Sequence, residues 1–239
     1  MNVPAFNVPK PELMRPGGQE ATVAGVTYQI EGELGPVLSV RVYAAPIYFE
    51  HHLMIWKDPS LKVDVKSLQG AFKRSIHGMP IFVVQTQGSG SVSFSRNGPG
   101  HLFALHLKDG EEVDVREHQW VAATESLHYS FVRVSGVSNI VFSGTGMFID
   151  TFACKPGREG LVWIHGFGNV FELDLKEGEQ IDVEPGAWIY KDRNLKMETI
   201  VQKLSTEFMA NDGRLISSRF TGPGRIGLQS DYVHVGAPE

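Results

Sequence analysis

The 27 residues HLFALHLKDGEEVDVREHQWVAATESL (101–127) return as NVFELDLKEGEQIDVEPGAWIYKDRNL (169–195), displaced by 68 positions without a gap. Ten of the 27 positions are identical, among them Phe103/Phe171, Leu105/Leu173, Gly110/Gly178, Asp114/Asp182 and Trp120/Trp188. Within HLFALHL, residues Phe103, Leu105 and Leu107 alternate with period two and share one strand face. In VFELDL the same face carries Phe171, Leu173 and Leu175. The identities fall on the apolar face, which is the face that must find a core. Phe103, Leu105, Trp120, Phe171, Leu173 and Trp188 are therefore the expected repeat core. Lys-Asp-Gly-Glu (108–111) and Lys-Glu-Gly-Glu (176–179) read as hairpin turns with φ > 0 at the glycine, and the following runs EEVDV and QIDV read as returning strands.

A weaker third copy lies upstream. At an offset near 66, Ile47 and Phe49 match Val113 and Val115, Met54 matches Trp120, Ile55 matches Val121, and Leu61 matches Leu127. A glycine followed by alternating apolar residues also recurs, at Gly90-Ser-Val92, Gly160-Leu-Val162 and Gly224-Arg-Ile226. A period of this size means one small unit used several times. The expected organisation is an N-terminal segment (1–24), three β units (25–86, 87–156 and 157–222), and a C-terminal strand and tail (223–239). Each unit is too small to bury much alone, so neighbours must share a core or close side by side. Helix signals are thin, and residues 67–78 and 194–212 allow at most a short helical turn.

The chain has 239 residues, 42% of them apolar and 21% charged, which is ordinary globular composition. A formal net charge of −5 offers no blanket attraction to phosphate, so DNA binding is not expected and RNA binding is disfavoured. The single cysteine, Cys154, excludes an internal disulfide and any Cys-rich zinc site, and its apolar surroundings suit a buried thiol. No apolar run approaches transmembrane length, and the proline- and charge-containing start does not read as a signal peptide. A cytoplasmic protein is expected.

The glycine elements bring a family into view. Residues 72–95, FKRSIHGMPIFVVQTQGSGSVSFS, the run GHLFALHLKDGEEVDV, and the closing Gly222-Pro223-Gly224-Arg225-Ile226-Gly227-Leu228-Gln229 resemble the AIM24 family over about residues 20–230. The resemblance implies an all-β chain of three tandem units in a pseudo-threefold arrangement. Each unit is similar to a subunit of the tryptophan RNA-binding attenuation protein, a shortened double-stranded β-helix or β-sandwich. By analogy with that ring-forming protein, three chains would close a nine-unit ring, a trimer; head-to-tail contacts close when the rotation permits. A mitochondrial member of the family is associated with the inner membrane and its cristae. The resemblance carries no catalytic residues.

Candidate chemistry is sparse. A cupin-type metal site needs His-x-His with a downstream Glu and His, and the chain has no His-x-His. His101 and His106 are five apart and face opposite ways on a strand, so a metal site would have to be assembled from different units, for example Glu50 with His52. Gly88, Gly90, Gly222, Pro223, Gly224 and Arg225 fit neither phosphate-loop pattern, so tight turns are the expected role of this family motif, which ends at Gln229. Trp120 and Trp188 sit in an apolar pattern and are expected to pack. Asp114 and Asp182 recur behind turns and are expected on a solvated strand face. No nucleophile motif is present, and no metal or cofactor is expected. The reading is a non-enzymatic oligomeric β-scaffold or binding protein, a homo-oligomer with room for a further protein partner. The alternatives are an RNA-binding ring, for which the basic pair Lys73-Arg74 occurs only once, and a small-ligand or metal-binding β-barrel.

Overall fold

The computed structural model describes residues 11–14, 20–43, 45–66, 83–134, 147–204 and 213–231. The first third holds β1 (Glu12–Leu13), β2 (Ala21–Val23), β3 (Val26–Glu31), β4 (Val37–Val42), β5 (Ile47–Glu50), a 3₁₀ turn at His51–Leu53, β6 (Met54–Lys57) and β7 (Lys62–Val65). The middle holds β8 (Val83–Gln87), β9 (Gly90–Phe94), β10 (Gly100–Leu107), β11 (Glu112–Arg116), β12 (Trp120–Thr124), β13 (Leu127–Val134) and β14 (Met147–Cys154). The last third holds β15 (Gly160–Phe167), β16 (Val170–Leu175), β17 (Gln180–Val183), β18 (Trp188–Asp192), β19 (Lys196–Leu204), β20 (Gly213–Thr221) and β21 (Gly224–Gln229). The described chain is all-β, and the stretch from 196 to 204, where the sequence allows a helical turn, is strand β19. Residues 67–78 and 205–212 lie outside the described residues.

The strands form four sheets, none closed, with orders β1-β16-β21-β18-β11-β14-β13, β10-β15-β12-β5-β8-β7, β17-β20-β19 and β2-β3-β4-β9-β6. Every pairing in them is antiparallel. One three-strand order occurs three times: β4-β9-β6, β10-β15-β12 and β16-β21-β18. The third strand of each trio carries an irregularity at the same place, between Met54 and Trp56, Trp120 and Ala122, and Trp188 and Tyr190. A bulge re-aims a strand and sharpens its twist, so its recurrence bends each trio in the same way.

The glycine turns have the expected backbone but a different role. Gly110 and Gly178 take φ of +79° and +76°. In both turns the acid at the fourth position accepts the amide of the lysine at the first, Glu111 from Lys108 N–H and Glu179 from Lys176 N–H, each at 2.8 Å. The strands on either side of each turn do not pair with one another. β10 pairs with β15 while β11 pairs with β14 and β18. The turns are corners that carry the chain from one sheet to the next, not hairpins. Period-two alternation marks which face is buried and is silent on which strand lies alongside.

Three apolar clusters fill the interior. Leu38, Phe49, Phe94 and Trp163 sit in the first, Phe103, Leu105, Trp120 and Phe152 in the second, and Leu173, Trp188 and Phe220 in the third. Trp120 and Trp188 are fully buried, as the repeat predicts. Phe171 departs from its expected core role: it is only half-buried, on a strand bordered by the two-residue β1.

Candidate functional site

The recurring glycines are fixed by one local device. The residue that follows β6 and the residues that end β12 and β18 each present a side-chain oxygen to the amide of the second residue of β9, β15 or β21. Asp58 accepts from Ser91 N–H at 2.5 Å, Thr124 from Leu161 N–H at 3.0 Å, and Asp192 from Arg225 N–H at 2.8 Å. The residue before each donor is Gly90, Gly160 or Gly224. A Cβ at Gly90 would lie 3.0 Å from the Asp58 carboxylate and 3.2 Å from Leu61 Cβ; one at Gly224 would lie 3.3 Å from Asp192 Cβ. The backbone there also takes φ of +153° and +140°. Glycine is required by close approach and by conformation together. The rest of the motif makes contacts within the chain. Gly88 turns between β8 and β9 with φ +92°, the Gly222–Pro223 peptide is cis, and Arg225 clasps Asp192 through its guanidinium at 3.0 Å. Gln229 is buried, accepting from Phe167 N–H at 2.9 Å and donating to the Gly186 carbonyl at 2.8 Å.

Two joints connect the trios to the remaining strands. At the first, β12 runs antiparallel to β5, with Ala122 opposite Phe49, Ala123 opposite Tyr48 and Thr124 opposite Ile47. At the second, β18 runs antiparallel to β11, with Tyr190 opposite Val115, Lys191 opposite Asp114 and Asp192 opposite Val113. The two registers coincide when the repeat offsets are applied. The first joint is apolar. The second centres on a buried ion pair, Lys191 Nζ to Asp114 Oδ2 at 2.9 Å. Asp114 also accepts from Thr151 Oγ1 and Arg193 at 2.8 Å each. At 4% exposure Asp114 is not on a solvated face, which corrects the sequence expectation. Burial alone pushes its carboxyl up, but the Lys191 charge and the three hydrogen bonds outweigh it and hold the group below its usual range.

Two strands that belong to the same pattern have no such neighbour. The outer edge of β6, the counterpart of β12 and β18, pairs with no strand among the described residues, and neither does the outer edge of β17, the counterpart of β5 and β11. Exposure follows. Ile55 and Trp56 are 45% and 57% exposed, while Val121 and Ala122 in β12 and Ile189 and Tyr190 in β18 are fully buried. Lys57 Nζ donates to the carbonyls of Leu61 at 2.7 Å and Asp58 at 3.2 Å. On β17, Asp182 is exposed and takes a two-pronged contact from Arg219 at 2.7 Å.

A separate polar group is enclosed beside β5. Glu50 and His165 are fully buried and His101 nearly so. Burial, then the neighbouring Arg96 guanidinium and the His101 ring, lower His165 to about 4, so its ring is neutral at physiological pH. Glu50 lies 3.8 Å from His52. Among the described residues no group of three or more His, Cys, Asp or Glu is arranged to hold a metal ion. His106 is on the opposite side of β10 from His101 and contacts Glu159 at 2.6 Å. Cys154 is half-buried, with its thiol 3.0 Å from the Arg158 carbonyl. Lys73 and Arg74 lie outside the described residues.

The AIM24 family, described as mitochondrial biogenesis AIM24, matches residues 28–231. The chain belongs to the AIM24 family. The expected resemblance is thus shown over most of the chain. No curated protein matches it. Among solved structures, the crystal structure of protein SPYM3_0169 from Streptococcus pyogenes shares its fold, with a TM-score of 0.65 at 19% identity over 87% of this chain and 94% of that one. Among the described residues no helix is long and apolar enough to cross a membrane.

Proposed function

We propose that this AIM24 protein is a non-enzymatic scaffold that works as a homo-oligomer built from three tandem β units per chain, each similar to a subunit of the tryptophan RNA-binding attenuation protein. The units are 25–86, 87–156 and 157–222, flanked by the segments 1–24 and 223–239, with β9, β15 and β21, each from the segment that follows, lying between the other two strands of a trio. The observation that carries the reading is that two strands of the joint pattern, β6 at one end of the series and β17 at the other, lack the expected partner among the described residues. Inside the chain, the second and third trios each continue into a strand of the unit before them, β5 and β11. An unpaired strand edge is a template for another chain. Edges of two different kinds make head-to-tail contacts, which close into rings when the rotation permits. The single Cys154 fits a cytoplasmic setting. Native mass spectrometry tests the assembly. A chain weighs 26.4 kDa, and three weigh about 79 kDa. A trimer near that mass supports the reading; a monomer at micromolar concentration overturns it.

A further inference from the structure

We infer that β6 of one copy adds to β17 of a second copy in a defined antiparallel register, with Lys57 opposite Asp182, Trp56 opposite Val183 and Asp58 opposite Ile181. This deepens the assembly reading above by naming the interface and its lock. The register comes from the two joints within the chain. Moving the first joint (122/49, 123/48, 124/47) one unit along gives the second (190/115, 191/114, 192/113). The offsets of 66 and 68 residues that relate the units then place Trp56, Lys57 and Asp58 opposite Val183, Asp182 and Ile181.

Four independent features meet at that register. The central pair has opposite charges and repeats the chemistry of Lys191 with Asp114. Lys57 already stands in the pose of Lys191: each ammonium donates to the carbonyl of the next residue, Asp58 at 3.2 Å and Asp192 at 3.3 Å, and each reaches a second carbonyl further on. Asp182 is steadied by Arg219 from β20, as Asp114 is steadied by Thr151 from β14, and the two donors occupy matching ladder positions. The aromatic pair matches as well. Tyr190 packs on Phe103 at 5.8 Å between ring centres in the second joint. One unit on, the same contact falls to Trp56 of one copy and Phe171 of the next. These are the exposed tryptophan and the half-buried repeat-core phenylalanine of this structure. The occupant is therefore a second copy of this chain.

Cross-linking tests the register. In a Cys154→Ser background, Lys57→Cys with Asp182→Cys places thiols on directly opposed residues, whose Cα separation in an antiparallel ladder falls within disulfide range. Mild oxidation is expected to link chains covalently, with roughly tenfold more linked product than the slipped pair Lys57→Cys with Val183→Cys, whose side chains face opposite ways. Linkage within one chain, or equal linkage by the slipped pair, overturns the inference. A native multimer without in-register linkage also overturns it while leaving the assembly reading intact; a monomer defeats both. A second readout needs no cysteine. Trp120, Trp163 and Trp188 are fully buried, so iodide-accessible tryptophan emission reports Trp56. The native protein is expected to lose that accessible fraction and Lys57→Glu to regain it; accessible Trp56 in a native multimer overturns the inference.

Discussion

Replacing Asp114 with Asn removes the charge that Lys191 is buried against. Both side chains are nearly inaccessible, 6% and 7% exposed, and they meet at 2.9 Å. Breaking a buried pair from one side costs about 3–5 kcal/mol, because the remaining charge keeps its desolvation penalty. For a chain of this size each kcal/mol moves Tm by roughly 2–4 °C, so a fall of about 10 °C is expected by differential scanning calorimetry. The Asp114→Leu, Lys191→Met double variant removes both charges and should recover most of the loss. The acid limb carries the same information. The folded carboxyl titrates below its ordinary value of 3.8. Its contribution is therefore present above the unfolded pKa and is lost as pH falls through the folded one. The Asn variant should show a flatter stability profile in that window. A Tm change under about 2 °C, or a double variant no more stable than the single, would refute the claim that this pair locks the second joint.

Other predictions follow from single features. Gly110→Ala and Gly178→Ala should each cost about 1 kcal/mol in urea unfolding and agree closely, since both turns take positive φ and neither Cβ meets an atom within 4 Å. His165 is neutral when folded, with a pKa of about 4 against an ordinary 6.5. The unfolded chain takes up that proton first, so stability should fall by up to about 3 kcal/mol between pH 6.5 and 4. His165→Gln should flatten that slope, and an unchanged slope would place the titration elsewhere. Trp188→Ala, at a fully buried site, should cost about 3–5 kcal/mol, whereas Trp56→Ala should weaken assembly and leave secondary structure by circular dichroism unchanged.

Much of the strand content was legible because it is local. Alternation marked the apolar faces of β10 and β16, and Lys-x-Gly-Glu marked two turns with positive φ. The alignment at offsets of 66 and 68 also stacks Asp58, Thr124 and Asp192, three side-chain acceptors, and stacks Lys57 with Lys191. Both signals lie in the sequence but gain meaning only when the long-range pairing is known. What was not legible is that pairing. The two strands beside each glycine turn adjoin in sequence and so suggest a hairpin, yet the chain crosses between sheets there. Asp114 lies in a strand behind a turn, which suggests a solvated face, but that face is covered by Lys191 and Arg193 from β18 and the turn after it. The match of Phe171 to Phe103 suggests a core place, yet Phe171 is half-buried because the strand that would cover it belongs, on the proposed assembly, to another copy.

The most direct test of the central claim is amide hydrogen exchange on the native protein, read over residues 54–58 and 180–183. The account predicts slow exchange in both segments, comparable with β12 and β18, and its loss from both together in Lys57→Glu. Fast exchange in either segment of the native protein would mean that the edge stands open and that the chains are not joined there.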